Sequence, residues 1–301
     1  MPVIDVHAHH VPEALLDITG GPLPADRRGG DITDLGSRLD SMDNQGIDIQ
    51  VMSAWMGFLS RDTETARRHN DALADSVAKH PDRFVGLAVA PLETPADAPA
   101  EIERAVKKLD LRGVEIGSSV LGRNLDEPEF GPFFAKVEEL GVPIFIHPVN
   151  PTLGVERLGK YRLENLIGNV TETAVAVASL IFGGVLEEFP RLLIYLAHGG
   201  GSCPYIRGRW DHGLQHQRLD AHTERLPSEY LKTLYYDALT HSTDALEYLV
   251  SLVGDDHVML GTDYPFAMGE LHPIEAIEAT SLSVDAKRRI TSDNAAQMFR
   301  L

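Results

Sequence analysis

The chain predicts a (β/α)8 barrel, and three observations carry that expectation. Short β-branched runs alternate with longer amphipathic stretches from one end to the other. Eight such units fit within 301 residues, where a barrel of this type takes roughly 250 residues as one unit. The first run passes into His7-Ala8-His9, not into the G-x-G-x-x-G turn that marks an open dinucleotide-binding sheet.

In chain order, the expected strands are Val3–Val6, Ile47–Met52, Phe84–Val89, Gly113–Ile116, Pro143–Ile146, Leu192–Leu196, Leu234–Tyr236 and Val258–Leu260. Between and after them run the helical patterns Thr63–Lys79, Pro99–Leu109, Phe130–Leu140, Ala174–Glu188, Thr243–Val253 and Val284–Phe299. Strands that are each followed by a crossover pair in parallel with right-handed connections. Gly20–Asp31 is rich in Gly and Pro and reads as a surface excursion near the barrel mouth. No stretch resembles an interdomain linker, so residues 1–301 are expected to form a single barrel domain.

Composition narrows the function. Hydrophobic residues make up 43% and charged residues 24%, as in soluble globular proteins. A formal net charge of −18 repels nucleic acid and anionic membrane surfaces. It leaves room for a small acidic substrate, because a metal and one or two arginines make a pocket positive inside an acidic protein. Cys203 is the single cysteine, so no intrachain disulfide forms, which fits a reducing compartment. The start MPVIDVHAHH lacks a basic segment followed by an apolar one, and the run Ala174–Val185 is short and broken by Ser179, Gly183 and Gly184. A cytoplasmic protein without a membrane span is expected.

Functional side chains of a barrel sit at the C-terminal ends of its strands. The first strand ends in His7-Ala8-His9, and residues two apart in extended chain face the same side. The fifth ends in His147, the sixth in His198 followed by Gly199-Gly200-Gly201, and the eighth in Gly261-Thr262-Asp263. Barrel closure brings these ends to one rim. Three neutral imidazoles and a carboxylate suit Zn²⁺ and related borderline metals, so His7, His9, His147 and Asp263 are the expected ligands. His10 is expected to face away. His69, His80, His212, His216, His222, His257 and His272 fall on helices or loops and are expected to be solvated, whereas His241 lies near the rim.

At this point the chain resembles the amidohydrolase-related superfamily, in its metal-dependent decarboxylase branch. The pieces are IDVHAHHVPE at the start, MDNQGIDIQVMS at 42–53 and FIHP at 145–148. They continue with AHGGGSCPYIRGRWD at 197–211, PSEY at 227–230 and VMLGTDYPF at 258–266. The resemblance implies one divalent metal, usually zinc with Mn²⁺ as the alternative, on His7, His9, His147 and Asp263. It implies that His198 works as acid or base, that Arg209 reaches a substrate carboxylate, sometimes across a dimer interface, and that Phe266 packs the substrate. Tyr161 falls near a position where the branch carries tryptophan. Arg28 stands loosely where a second carboxylate-binding arginine is found, in a loop that is shorter here. Glu115, at the end of the fourth strand, sits where two-metal members carry a bridging ligand. Its plain reading is an ordinary polar strand position, and one metal is the expectation.

The activity expected is non-oxidative decarboxylation of an aromatic or muconate-like acid, with a metal-bound water and with His198 and Asp263 as proton carriers. The alternatives are a metal-dependent hydrolase of a lactone, ester or amide, and a hydratase of an unsaturated dicarboxylic acid. A non-catalytic metal-binding protein is disfavoured by the presence of His198 beside the ligands. Trp55, just past the second strand, either lines the pocket or packs under a loop. Arg209 and the helix carrying Trp210 suggest a homodimer.

Overall fold

A computed structural model describes residues 1–19, 23, 31–59, 61–149 and 155–301. Eight parallel strands lie in sequence order in one sheet, β1 Ile4–His10, β2 Ile49–Ala54, β3 Phe84–Val89, β4 Gly113–Gly117, β5 Ile144–His147, β6 Ile194–Leu196, β7 Tyr235–Asp237 and β8 Val258–Met259. The sheet closes on itself. Val6 N donates to the Leu260 carbonyl at 2.9 Å, Asp263 N to His7 O at 2.8 Å and His9 N to Tyr264 O at 2.7 Å. The fold is the expected (β/α)8 barrel. Most of the Gly20–Asp31 excursion, Arg28 included, lies outside the described residues.

The helices follow the strands as α1 Leu35–Gln45, α2 Thr63–Ala78, α3 Ala98–Leu109, α4 Gly131–Leu140, α5 Val155–Leu158, α6 Val170–Phe182 and α7 Val185–Glu188. The series ends with α8 Cys203–His216, α9 Pro227–Tyr230, α10 Thr243–Val253, α11 Pro273–Glu278, α12 Val284–Arg288 and α13 Asn294–Phe299. Asp34, Asp62 and Ser242 cap α1, α2 and α10 by accepting first-turn N–H groups. The segment expected as one helix over 174–188 stops at Gly183-Gly184, because Gly184 adopts φ 82° and begins a separate turn.

A large apolar cluster joins strand residues such as Ile116, Ile144, Ile146 and Leu196 to helix residues such as Ile102, Phe134, Val177 and Leu180. A smaller one surrounds Phe145 and Tyr195, whose rings stack 4.4 Å apart, with Phe299 of α13 packed 6.0 Å from Tyr195. Contiguous helix over Glu164–Phe182 is long and apolar enough to cross a membrane. Here it lies along the barrel, with Ala176, Val177, Leu180 and Ile181 buried.

Candidate metal centre

Three imidazoles at the rim, those of His7, His9 and His147, are each anchored through one ring nitrogen, leaving the other aimed inward. His7 Nδ1 lies 2.7 Å from Asp237 Oδ2, His9 Nδ1 2.6 Å from the Ala54 carbonyl, and His147 Nδ1 2.9 Å from the Pro148 carbonyl. An acceptor at Nδ1 sets the tautomer with its proton there and frees the Nε2 lone pair. The freed atoms converge. His7 Nε2 and His9 Nε2 are 3.2 Å apart, and Asp263 Oδ1 is 3.3 Å from the first and 3.1 Å from the second. His147 Nε2 and Asp263 Oδ1 are buried without a hydrogen-bond partner. One ligand atom from each of His7, His147, His198 and Asp263 lies within 4.8 Å of the others.

Lone pairs facing one another in a dry site repel unless a proton or a cation lies between them. Burial favours the neutral ring at His9 and His147, and holds both below the ordinary histidine value. Burial acts the same way on His7, but the carboxylates of Asp237 and Asp263 overcome it and raise its pKa to about 10. Burial alone would raise the Asp263 carboxyl, yet the surrounding imidazoles of His198 and His7 hold it well below the carboxylate range. A divalent cation would take the place of the His7 proton in this arrangement, since ligation needs the neutral imidazole. The donor set fits a cation.

Asp237, at the end of β7, lies outside the sequence expectations, which end that strand one residue earlier at Tyr236. Its two oxygens serve four donors. Oδ2 takes His7 Nδ1 and the His198 N–H (2.9 Å), and Oδ1 takes the N–H groups of Gly199 (2.7 Å) and Leu239 (3.2 Å). One carboxylate thus orients a ring on β1 and the turn that carries His198. That turn needs its glycines. A Cβ on Gly201 would sit 2.4 Å from the Val170 carbonyl oxygen, and one on Gly200 2.6 Å from the Tyr236 ring. His198 itself adopts φ 56°, and its Nε2 lies 3.8 Å from Asp263 Oδ2.

Above the cluster the cleft has two lobes that meet at His198 and Asp263. The larger, 510 Å³, is lined by Met56, His147, Tyr161, Arg162 and Phe266 among others. The smaller, 390 Å³, runs between Leu166, Tyr205, His241, Tyr248 and Met268. Phe266 and Tyr161 therefore both face the cleft, the Phe266 ring 5.0 Å from His9. Arg162, Asn165 and Asn169 escape sequence reasoning, because they sit on a helical segment with no motif around them.

Other expectations land elsewhere. Trp55 lines neither lobe; it packs 6.0 Å from Phe58 and folds back over Gly57, where a Cβ would meet its ring. Arg209 is exposed on α8 and lines neither lobe of its own chain. His10 turns outward to the Ile32 carbonyl and Ser76. His69 departs from the solvated expectation. It is fully buried on α2, 5.1 Å from the Phe58 ring, and burial lowers its pKa to about 4. Among the other helix and loop histidines, His80 and His257 are half-buried and His212, His216, His222 and His272 are exposed.

Glu115 does not join the converging set. Its Oε2 accepts the Ala54 N–H at 2.5 Å and its Oε1 has no partner. Burial pushes its carboxyl up to about 8, against the opposing pull of the Ala54 N–H and His7.

A closed parallel barrel whose rim gathers imidazoles and a carboxylate around one point defines a metal-dependent enzyme of the (β/α)8 class. The amidohydrolase family model matches residues 4–301, and the chain belongs to that family. The 2-amino-3-carboxymuconate-6-semialdehyde decarboxylase of Dictyostelium discoideum is 37% identical over 273 residues, covering 88% of this chain and 76% of that protein. Among solved structures, 5-carboxyvanillate decarboxylase from Sphingomonas paucimobilis superposes with a TM-score of 0.89 at 28% identity, covering 100% of this chain and 99% of its own. A dihydroxybenzoic acid decarboxylase from Polaromonas, with bound manganese and the inhibitor 2-nitroresorcinol, gives 0.88 at 28% identity, covering 100% of this chain and 97% of its own.

Two tests arise from this geometry. Asp237→Asn must turn an NH2 group toward either His7 or the backbone donors, so cation affinity should fall about tenfold or more and Tm should drop. Unchanged affinity by chelator competition would remove Asp237 from the support of the centre. For Glu115, the folded pKa of about 8 exceeds the ordinary 4.5. The folded chain then keeps a proton that the unfolded chain loses within that window, so this group's contribution to stability declines as pH rises through it. In metal-free protein, Glu115→Gln should gain in Tm over the parent chain across the same range. A pH-independent difference would refute the assignment.

Proposed function

We propose that the chain is a metal-dependent non-oxidative decarboxylase, a carbon–carbon lyase acting on an aromatic or muconate-like carboxylic acid. The observation that carries this reading is the convergence of unpartnered His147 Nε2 and Asp263 Oδ1 with His7 and His9 Nε2 at the base of an aromatic-lined cleft. Similarity to decarboxylases along nearly the whole chain supports it.

His7, His9, His147 and Asp263 would hold one divalent cation. Three imidazoles and a carboxylate suit zinc; manganese is the second reading, favoured by the metal in the Polaromonas structure. When bound, the cation supplies positive charge where negative charge develops on the substrate's oxygens.

Asp263 divides its two oxygens between tasks. Oδ1 faces His7 and His9, while Oδ2 faces His198. At 3.8 Å the Asp263–His198 pair is one small movement, or one bridging water, from proton transfer. His198 stands where the lobes meet, within reach of a bound acid. A proton delivered to the carbon bearing the carboxylate lets the C–C bond break. Its electron pair returns to the conjugated system, and CO₂ leaves. Phe266 and Tyr161 offer faces for a planar substrate, and Arg162 supplies a cationic group in the same lobe.

Arg209 is exposed and lines neither lobe of its own cleft, so we read any contact it makes with a substrate carboxylate as made from a second chain. We read the protein as a homodimer joined near the mouth, where Tyr161, Leu166, Ile167 and Tyr205 are exposed.

His198→Asn should lower kcat by about 10²–10⁴ with one metal per chain retained. CO₂ release from aromatic and muconate-like acids is the assay. Undiminished turnover, or hydrolysis of lactones without CO₂, would sink the reading. Mixing His198→Asn with Arg209→Ala chains should restore about a quarter of parental turnover, since one site per mixed dimer is then whole. No recovery on mixing would place Arg209 in its own chain's site or outside catalysis.

A further inference from the structure

Beneath the His7–His9 pair lies a buried polar chain that touches neither solvent nor the cleft. Arg38 of α1, Gln50 of β2 and Asp5 of β1 are all essentially inaccessible. Arg38 donates Nη1 to Gln50 Oε1 at 2.6 Å and Nη2 to the His9 carbonyl. Its Cζ lies 4.5 Å from the centroid of the Tyr264 ring. Gln50 Nε2 donates in turn to Asp5 Oδ2 at 2.8 Å. Asp5 accepts three more bonds, from His7 N (3.0 Å), Thr262 N (3.0 Å) and Thr262 Oγ1 (2.6 Å).

A guanidinium buried without a directly bonded carboxylate is costly, and a core tie of this size could be built from apolar residues. What distinguishes this one is where its ends land. They fall on the N–H of His7, the carbonyl of His9, the residue before Asp263 and the ring of the residue after it. The backbone here also needs an outside hold. The β1–β2 ladder pairs Asp5 with Gln50 and next pairs Ala8 with Met52, so a bulge takes Val6 and His7 out of register. The β1–β2 ladder therefore leaves the His7 N–H unheld and the Asp5 carboxylate takes it, while the His7 carbonyl is held on the other side by the N–H of Asp263.

We infer that Arg38, acting through Gln50 and Asp5, is a positioning residue that sets His7, His9 and Asp263 for the cation. The inference rests on the metal reading above. Its test reads the metal directly, with Mn²⁺ and Co²⁺ as probes.

Gln50→Met keeps side-chain volume and removes both amide contacts, while Arg38→Lys keeps the charge and loses the fork. Affinity is measured by chelator competition, ligand geometry by the visible spectrum of the Co²⁺-loaded protein, and folding by the Tm of the metal-free chain. Gln50→Met should bind both ions about 10- to 100-fold more weakly with an altered Co²⁺ spectrum, and Arg38→Lys should fall between it and the parent. If Gln50→Met does not fold, Arg38→Lys decides by the same criteria. Affinity within about twofold of the parent and an unchanged spectrum, even with a lowered Tm, would reduce the chain to a fold-stabilising tie. A parent chain that takes up neither ion would instead overturn the metal reading, and this inference with it.

Discussion

Four backbone hydrogen bonds join the first strand of the barrel to the segment that ends the last: Val6 to Leu260, Thr262 and Asp263 to His7, and His9 to Tyr264. The chemistry depends on that seam. His7 and Asp263 are 256 residues apart by their numbers, and only closure sets the Asp263 carboxylate against two imidazoles of β1. An open sheet with the same strand order would leave β1 and β8 at opposite edges. Closure also supplies the dryness. Phe145 packs 4.9 Å from the His7 ring and stacks on Tyr195, which closes the floor of the site with apolar surface.

Dryness makes the electrostatics decisive. At full burial every unpaired polar atom is expensive, so each inner atom must have a partner. The outer ring nitrogens are satisfied by Asp237, Ala54 and Pro148, and the Asp5 carboxylate takes four donors. At the rim, His147 Nε2 and Asp263 Oδ1 are left over, and they face the same point as the Nε2 atoms of His7 and His9, open to a ligand. The net charge of −18 does not oppose that ligand, because a cation is drawn toward such a centre.

The strand ends were legible in the sequence because the barrel imposes a simple rule. Apolar β-branched runs break at the rim, and the breaks fall at His7-Ala8-His9, His147, His198 and Asp263. Partners that act through the backbone or across long separations were not legible. Ala54 contributes only a carbonyl, which any residue carries. Arg38 and Gln50 look like polar positions on a helix and a strand, since the partner of each depends on barrel curvature. His69 departs from expectation, and Trp55 takes the packing alternative, for a related reason. The turn Met56–Phe58 folds back over α2, and that cover has no local sequence signal.

Backbone strain marks the same boundary between scaffold and site. Among the described residues, eight non-glycine positions have positive φ, and five of them line the cleft: Tyr161, Arg162, His198, His241 and Asp263. Left-handed backbone is disfavoured for residues with a Cβ and persists only where surrounding contacts overdetermine it. At His198 those contacts are the Asp237 carboxylate and the glycine turn; at Asp263 they are the seam to His7. Elsewhere in the barrel, the strands and most of the helix lengths stay in ordinary conformations. The protein therefore places its unfavourable geometry at the rim, on side chains that must be aimed at a common point. Regular α/β packing beneath them provides the stability that this aiming requires.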